Sequence, residues 1–357
     1  MQISYIKCLI INRSMSTHKL QDEENLNGEA NPEEKTSNEI YTYTAPWNVY
    51  AFNFSNHPNQ NFRLAMGSFL EHPDNYLRII QLHPEQNKFE LIGEANHTYA
   101  PTKIMWVPDL QGTTEDLFAT TSDCLRIWKC NGGIKNVANL VNTRNTQYSG
   151  PLTSFDWNPN NLSMVGTASI DNTCTIWDIE SETMLKQILT HTKEVNDIAF
   201  GHDSSVFTSV SADGSVRMFD LRDLNQCTIM YENRDCTPIM RVSWNKIDPH
   251  FLAVISMESP LVTILDTRHP GVPIVQLSGH SQYANSIAWA PNSNCYICTA
   301  GDDCQALIWD LKQSTGQVNA PMMMYKAEAE IIMLNWSAVQ QDWVAITYDK
   351  SLQLLKL

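Results

Sequence analysis

Basic residues are scarce in this chain: Lys and Arg number 24 against 39 Asp and Glu, for a formal net charge of −15 over 357 residues. Binding to phosphate backbones by counterion release needs a basic footprint, so direct nucleic-acid binding is not expected and a basic or mixed-charge protein partner fits better. Long apolar runs are missing too. Nothing approaches the roughly 18 consecutive apolar residues of a membrane-spanning helix, and no membrane partner is expected. The opening MQISYIKCLIINRSM is interrupted by Lys7 and ended by Asn12 and Arg13, leaving too short a run for a secretory core. Met15 offers a second start, which would make residues 1–14 an extension of the gene rather than structure.

The nine cysteines are odd in number and fall at no recurrent interval, which reads as reduced thiols in a cytoplasmic or nuclear protein. Cys295 and Cys298 stand three apart in a strand-like segment, so they point to opposite faces and cannot chelate one metal together. No Gly-x-Gly-x-x-Gly, phosphate loop or His-Glu-x-x-His occurs. Gly279-His280-Ser281-Gln282-Tyr283 has Tyr where a nucleophile elbow requires Gly. No cofactor, metal site or enzymatic activity is expected. A sustained helical period is absent as well, so the grammar from Glu39 onward is one of strands and turns.

What the chain does have is a phrase that returns seven times, an apolar run closing on Trp-Asp or a worn version of it. The copies are YLRIIQL (76–82), CLRIWKC (124–130), TCTIWDI (173–179), SVRMFDL (215–221), LVTILDT (261–267), QALIWDL (305–311) and SLQLLKL (351–357). Their aligned residues Ile80, Trp128, Trp177, Phe219, Leu265, Trp309 and Leu355 lie 42 to 49 residues apart, near the roughly 40 to 45 of a four-stranded WD40 blade. The sequence therefore predicts an all-β, seven-bladed WD40 propeller over 39–357, preceded by a disordered acidic extension at 1–38. Residues 16–39, reaching to the start of the propeller, carry seven acids against Lys19 and Lys35. A solvated leader is the simpler reading of this segment and partner docking the alternative.

Each blade should open with a strand ending near Phe54, Trp106, Trp157, Phe200, Trp244, Trp289 or Trp336. The seventh third strand ends at the chain's last residue, so that blade lacks an outer strand of its own, while EIYTYTA (39–45) precedes the first blade unpaired. Pairing the two would close the ring and remove an open sheet edge. A closed ring is expected to be a monomer within larger complexes.

Six residues before the third-strand aromatic stands an acidic turn residue: Asp74, Asp171, Asp213, Asp303 and Asp349, with Asp123 one residue tighter in blade 2. A buried chain from Trp ring N–H through a hydroxyl and an imidazole to a carboxylate would satisfy every polar group and fix blade geometry. The candidates are Thr167, Asp171 and Trp177 in blade 3, His191, Ser209 and Asp213 in blade 4, and His280, Thr299, Asp303 and Trp309 in blade 6. The same residue types form catalytic triads, but here they recur blade by blade and are expected to be buried. Blade 5, with Ser259 and Leu265 at the Asp and Trp positions, should rely on apolar packing and be locally looser.

Longer phrases extend beyond the general repeat: APWNVYAFNFS (45–55), LTSFDWN (152–158), DNTCTIWD (171–178), SADGSVRMFDLR (211–222), WNKIDP (244–249) and IAWAPNSNCYICTAGDDCQALIWD (287–310). In these the chain resembles WD-repeat adaptors of the Transparent Testa Glabra and petunia anthocyanin-regulator type, over roughly residues 40–357. The resemblance implies a noncatalytic scaffold that binds protein kinases and transcription regulators, found in cytoplasm and nucleus. It also implies an alternative, a substrate receptor of cullin-4 ubiquitin ligases docking through a Trp-Asp-x-Arg element. That element survives as Phe219-Asp220-Leu221-Arg222 and Leu265-Asp266-Thr267-Arg268, both without Trp, while Trp309-Asp310-Leu311-Lys312 ends in Lys. Arg222 and Arg268 would either meet acceptors on a ligase adaptor or pair with neighbouring acids.

Overall fold

The computed structural model describes residues 39–142, 149–312 and 314–357, apart from the side chain of Asn225. The expected tail at 1–38 lies outside the described residues. Ile40–Leu357 forms one compact unit of seven sheets, one per blade. Their first strands are Val49–Phe54, Lys103–Trp106, Leu152–Trp157, Val195–Phe200, Ile239–Trp244, Ala284–Trp289 and Met333–Trp336. Each ends on the aromatic residue expected of it. The seven repeated phrases form the third strands, from Asn75–His83 in blade 1 to Ser351–Lys356 in blade 7. The only helical element among the described residues is a 3-10 turn, Pro84–Gln86.

The inner strands are apolar on both faces because neighbouring blades stack on each other. Arg63–Ser68, Val195–Phe200 and Trp343–Tyr348 are buried at every position. Outer strands such as Thr183–Leu189 are mostly exposed, as expected of a ring's circumference.

Ile40–Thr44 pairs antiparallel with Ser351–Lys356, in register from Ile40 opposite Leu355 to Thr44 opposite Ser351. The N-terminal strand thus supplies the outer strand of blade 7 and closes the ring. Tyr41 packs on Trp343 with ring centroids 5.7 Å apart, and Gln353 Nε2 donates to Thr42 Oγ1 at 3.1 Å. Blade 5 departs from the four-strand pattern. Gly316–Val318, from the connection after the third strand of blade 6, runs parallel to Pro273–Leu277 and gives blade 5 a fifth strand. The chain then returns as Met323–Lys326, the outer strand of blade 6. Leu265 of blade 5 is buried, so apolar packing stands where the Trp-centred network is missing.

Hydrogen bonds from one first strand to the next join neighbouring blades. At the entry end, Thr102 Oγ1 donates to Leu152 O (3.2 Å), Thr153 Oγ1 to Val195 O (2.6 Å), Asn196 Nδ2 to Ile239 O (2.8 Å) and Asn285 Nδ2 to Ile331 O (2.9 Å). Thr153, Asn196 and Asn285 each sit where the strand register shifts, and such a bulge re-aims the side chain. Further along the first strands, Asp156 accepts Phe200 N (2.7 Å), Asp197 accepts Val242 N (3.0 Å) and Ser286 accepts Leu334 N (3.0 Å).

Candidate functional site

Blade 6 holds the full polar relay. Trp309 Nε1 donates to Thr299 Oγ1 at 2.9 Å, the Thr299 hydroxyl donates to His280 Nε2 at 2.7 Å, and His280 Nδ1 donates to the Asp303 carboxylate at 3.0 Å. All four residues are buried. Gly279 is required beside His280 because a Cβ there would lie 2.6 Å from the Trp309 ring. In blade 4 the relay starts one step later, since Phe219 has no ring N–H. Ser209 Oγ contacts His191 Nε2 at 2.8 Å, and His191 Nδ1 reaches Asp213 at 3.0 Å.

Burial disfavours charge on Asp213 and Asp303, but hydrogen bonds from His191 and Ser215 to the first and from His280 to the second hold both carboxyls below their ordinary range. Burial pushes the His191 imidazole down, toward its neutral form.

Blade 3 corrects one expectation. Trp177 Nε1 donates to Thr167 Oγ1 at 2.9 Å, and Thr167 Oγ1 donates on to Thr175 O at 3.3 Å. Asp171 stands outside this chain, because blade 3 has no histidine to bridge the gap. Its carboxylate instead accepts Gly150 N at 3.0 Å and Thr173 Oγ1 at 2.6 Å, stapling the turn. Asp74 and Asp349 are exposed turn residues. In blade 1 the buried role falls to Asn75, which accepts Ser68 Oγ at 2.8 Å.

Blade 2 holds a relay that the sequence reading missed. Trp128 Nε1 donates to Thr120 Oγ1 at 2.9 Å, and Thr120 Oγ1 meets His97 Nε2 at 2.9 Å. His97 Nδ1 closes on the Tyr99 carbonyl rather than on a carboxylate, and burial pushes its pKa down to about 4. Asp123 instead pairs with Arg126 at 2.7 Å. The available signal was a histidine ahead of the third-strand aromatic: His97, His191 and His280 precede theirs by 28 to 31 residues.

In every relay the hydroxyl is buried and held between an indole or the core and an imidazole, so none of these groups presents a nucleophile to solvent. Among the described residues no cluster of His, Cys, Asp and Glu could hold a metal ion.

The opposite face carries a second constellation. First and third strands run in the same direction, so their exits share one end of the ring. There Asp178, Asp220, Asp266 and Asp310 each accept the backbone N–H two residues on, at 2.8 to 3.0 Å. In blades 4 and 5 that second residue is arginine, and both side chains fold back as bidentate forks. Arg222 donates Nε to Asp220 Oδ1 (2.9 Å) and Nη2 to Oδ2 (2.6 Å); Arg268 donates likewise to Asp266 (2.9 and 2.7 Å). Each fork holds its carboxyl below the usual carboxylate range. The two guanidinium groups remain largely exposed, 67% and 52%, and Arg268 also lies 5.7 Å over the Phe251 ring.

Residues 139–178, 183–220 and 271–310 match the family described as WD domain, G-beta repeat. These segments end on the third strands of blades 3, 4 and 6, where the repeat is least worn. Along most of its length the chain is similar to the DDB1- and CUL4-associated factor 7 homolog of Dictyostelium discoideum, 47% identical over 320 residues that cover 89% of this chain and 98% of that protein. The chain belongs to the DDB1- and CUL4-associated factor 7 family of WD-repeat proteins. An uncharacterized WD repeat-containing protein of Schizosaccharomyces pombe is 33% identical, covering 88% of this chain and 89% of that one. A WD repeat-containing protein of Saccharomyces cerevisiae is 32% identical over 72% of this chain. Membership and relay burial agree: the protein is a noncatalytic WD-repeat scaffold.

Proposed function

We propose that the protein is an adaptor that docks on a DDB1- and CUL4-containing assembly and presents protein clients to it, or to one another, from the rest of the ring. The observation that carries this reading is the pair of Asp-Arg forks on adjacent blades of a chain 47% identical to a factor named for DDB1 and CUL4. Each fork uses Nε and Nη2 and leaves Nη1 aimed away from its aspartate. An arginine already held in place loses less freedom on meeting an acceptor of another protein. Resemblance to the Transparent Testa Glabra and petunia anthocyanin-regulator type supplies the clients in this proposal, protein kinases and transcription regulators, and with them residence in both cytoplasm and nucleus. A stiff frame with many loops suits such work, because rigid presentation lowers the ordering cost of binding.

The test is quantitative mass spectrometry of proteins retained by the tagged chain from its own cells, wild type beside Arg222→Ala/Arg268→Ala, with thermal melts of both. DDB1 captured by wild type and lost from an equally stable double variant, with kinases or transcription regulators still bound, supports the proposal. DDB1 retained equally by both makes the forks incidental. Clients captured with no DDB1 in either form leave a scaffold outside the ligase.

A further inference from the structure

The hairpin that joins the third strand of blade 2, Leu125–Cys130, to its outer strand, Ile134–Leu140, turns on Asn131-Gly132-Gly133. Asn-Gly suits a tight hairpin because the left-handed backbone it needs costs glycine nothing, and Gly132 has φ +66°. The chain's other Asn-Gly, Asn27-Gly28, lies outside the described residues. What sets Asn131 apart is how little holds its amide. Asn75, Asn158, Asn196, Asn245 and Asn285 are buried, and each donates Nδ2 to a main-chain carbonyl at 2.7 to 2.9 Å. Asn131 is exposed, and its side chain has no hydrogen bond among the described residues. Its main-chain N–H donates to Gly133 O at 3.1 Å, whereas the N–H of Gly132 has no acceptor among the described residues.

Space and charge at the tip point the same way. A Cβ built on Gly132 or on Gly133 would meet nothing within 4 Å, so no neighbour obstructs movement of the Asn131 side chain over the Gly132 amide. The hairpin is steadied behind the tip, where a Cβ on Gly93, in the outer strand of blade 1, would lie 3.3 Å from Gly133 Cα. Lys129 and Lys135 stand directly opposite each other across the two strands. Lys129 is matched by Glu115 at 2.5 Å, but Lys135 is exposed and has no carboxylate partner among the described residues. Like charges directly opposite in a sheet are destabilising. Two ammonium groups beside the turn favour loss of a proton from the Gly132 amide, and they favour a carboxylate where the neutral Asn131 amide now stands.

We propose that Asn131 is a site of covalent self-modification, converted by attack of the Gly132 main-chain nitrogen into isoaspartate and aspartate, and that the isoaspartyl form is a substrate for a carboxyl methyltransferase. The nitrogen gives its proton to solvent and forms a bond to Asn131 Cγ, and ammonia leaves, closing a succinimide. Water then adds to one of the two ring carbonyls. Addition at Cγ breaks the new bond and yields aspartate in the ordinary chain. Addition at the main-chain carbon breaks the original peptide bond and yields isoaspartate, with the chain running through Cβ and Cγ and a free α-carboxylate. No oxidant or reductant is needed, since the amide and water become a carboxylate and ammonium. The open tip has room for the added methylene. The site stands independently of the proposed ligase association, because the forks are on blades 4 and 5.

The test incubates the folded full chain in ¹⁸O-enriched water at neutral and at mildly alkaline pH. Peptide mapping by electron-transfer fragmentation, which separates isoaspartate from aspartate, follows Asn131 beside Asn292, an exposed asparagine that precedes Ser293. Asn131 is expected to convert several-fold faster than Asn292, with isoaspartate in excess of aspartate and a rate that rises with pH. The aged chain should then accept labelled methyl groups from S-adenosylmethionine and an isoaspartyl carboxyl methyltransferase, on the peptide that contains residue 131. Gly132→Ala, which crowds the attacking nitrogen, should slow the conversion several-fold, and Asn131→Gln should remove methylation of that peptide. Thermal melts of fresh and aged chain confirm that the ring stays folded throughout. Conversion at Asn131 no faster than at Asn292 overturns the proposal. So does aspartate without isoaspartate, which would mean direct hydrolysis by water, and so does conversion seen only in urea, which would mean that the folded hairpin holds the Gly132 nitrogen out of reach.

Discussion

At the scale of single residues, the relays make a quantitative ranking. Thr299 serves two partners, accepting from Trp309 and donating to His280, whereas Thr167 serves Trp177 and a carbonyl at the longer distance of 3.3 Å. Thr299→Val keeps the shape and strands both an indole N–H and an imidazole nitrogen, for a loss of about 3 kcal/mol; Thr167→Val should cost about half as much, read from urea unfolding of the two variants. His97 supplies a pH dependence. Its pKa drops from 6.5 to about 4 on folding, mainly through burial. Between those values the unfolded chain binds the proton and the folded one does not, so stability falls as pH falls across that window, by up to about 3 kcal/mol. His97→Gln should flatten the stability curve between pH 6.5 and 4 while lowering stability at neutral pH. Asp213 and Asp303 act in a separate window: their lowered carboxyls add stability above an unfolded value of 3.8 that is lost as pH falls below it. The blade 6 relay was legible because the repeat aligns Asp303, Thr299 and Trp309 on fixed offsets. Asp171 misled because spacing gives a residue's place but not its partner, and in blade 3 a backbone N–H, from Gly150, meets that carboxylate. His97 escaped notice because its relay ends on a carbonyl and so needs no acid at the expected offset.

At the scale of strands, the first strand of each blade matters as a fastening between blades as much as a sheet member. Asp197 shows this most fully: its carboxylate accepts Val242 N of blade 5 (3.0 Å), Ser154 Oγ of blade 3 (2.5 Å) and Lys103 Nζ of blade 2 (3.4 Å), and it is 3% exposed. Asp197→Ala takes the carboxylate acceptor from three buried donors, Val242 N, Ser154 Oγ and Ile198 N, and should cost about 3 kcal/mol. Hydrogen exchange distinguishes this from general loosening, since the Val242 amide should lose protection more than Val210 in the middle of a blade 4 strand. Inner strands were legible because burial on both faces writes an unbroken apolar run closed by an aromatic residue. Outer strands were not, because a half-exposed edge carries little pattern. Nothing in residues 316–318 announces that they leave blade 6 to pair parallel with blade 5, a placement that depends on a neighbour some 40 residues away.

For the whole molecule, the decisive bond is between the two ends of the described ring. A propeller open at one seam exposes a sheet edge, and unpaired edges seek other chains. Here the seam is shut by five register pairs from Ile40 to Thr44, by Ala45 N donating to Lys350 O (2.8 Å) and by Val49 N donating to Asp349 O (2.9 Å). Tyr41 and Tyr43 pack on the apolar cluster of Trp47, Phe52, Trp343, Leu352 and Leu354, which draws on blades 1 and 7 together. The seam was legible in the sequence because a surplus strand before blade 1 matches a deficit in blade 7, whereas the tilt of individual side chains into the shared cluster was not. Removing residues 1–45 deletes the strand and its two tyrosines, so the third strand Ser351–Lys356 becomes a bare edge flanked by uncovered apolar surface. That truncation is expected to melt well below the full chain and to elute as aggregate on size-exclusion chromatography, whereas removal of 1–38, which spares every one of these contacts, should leave melting and elution unchanged. Equal behaviour of the two truncations would mean that the ring holds through its inner blade contacts alone and that the N-terminal strand only covers an edge.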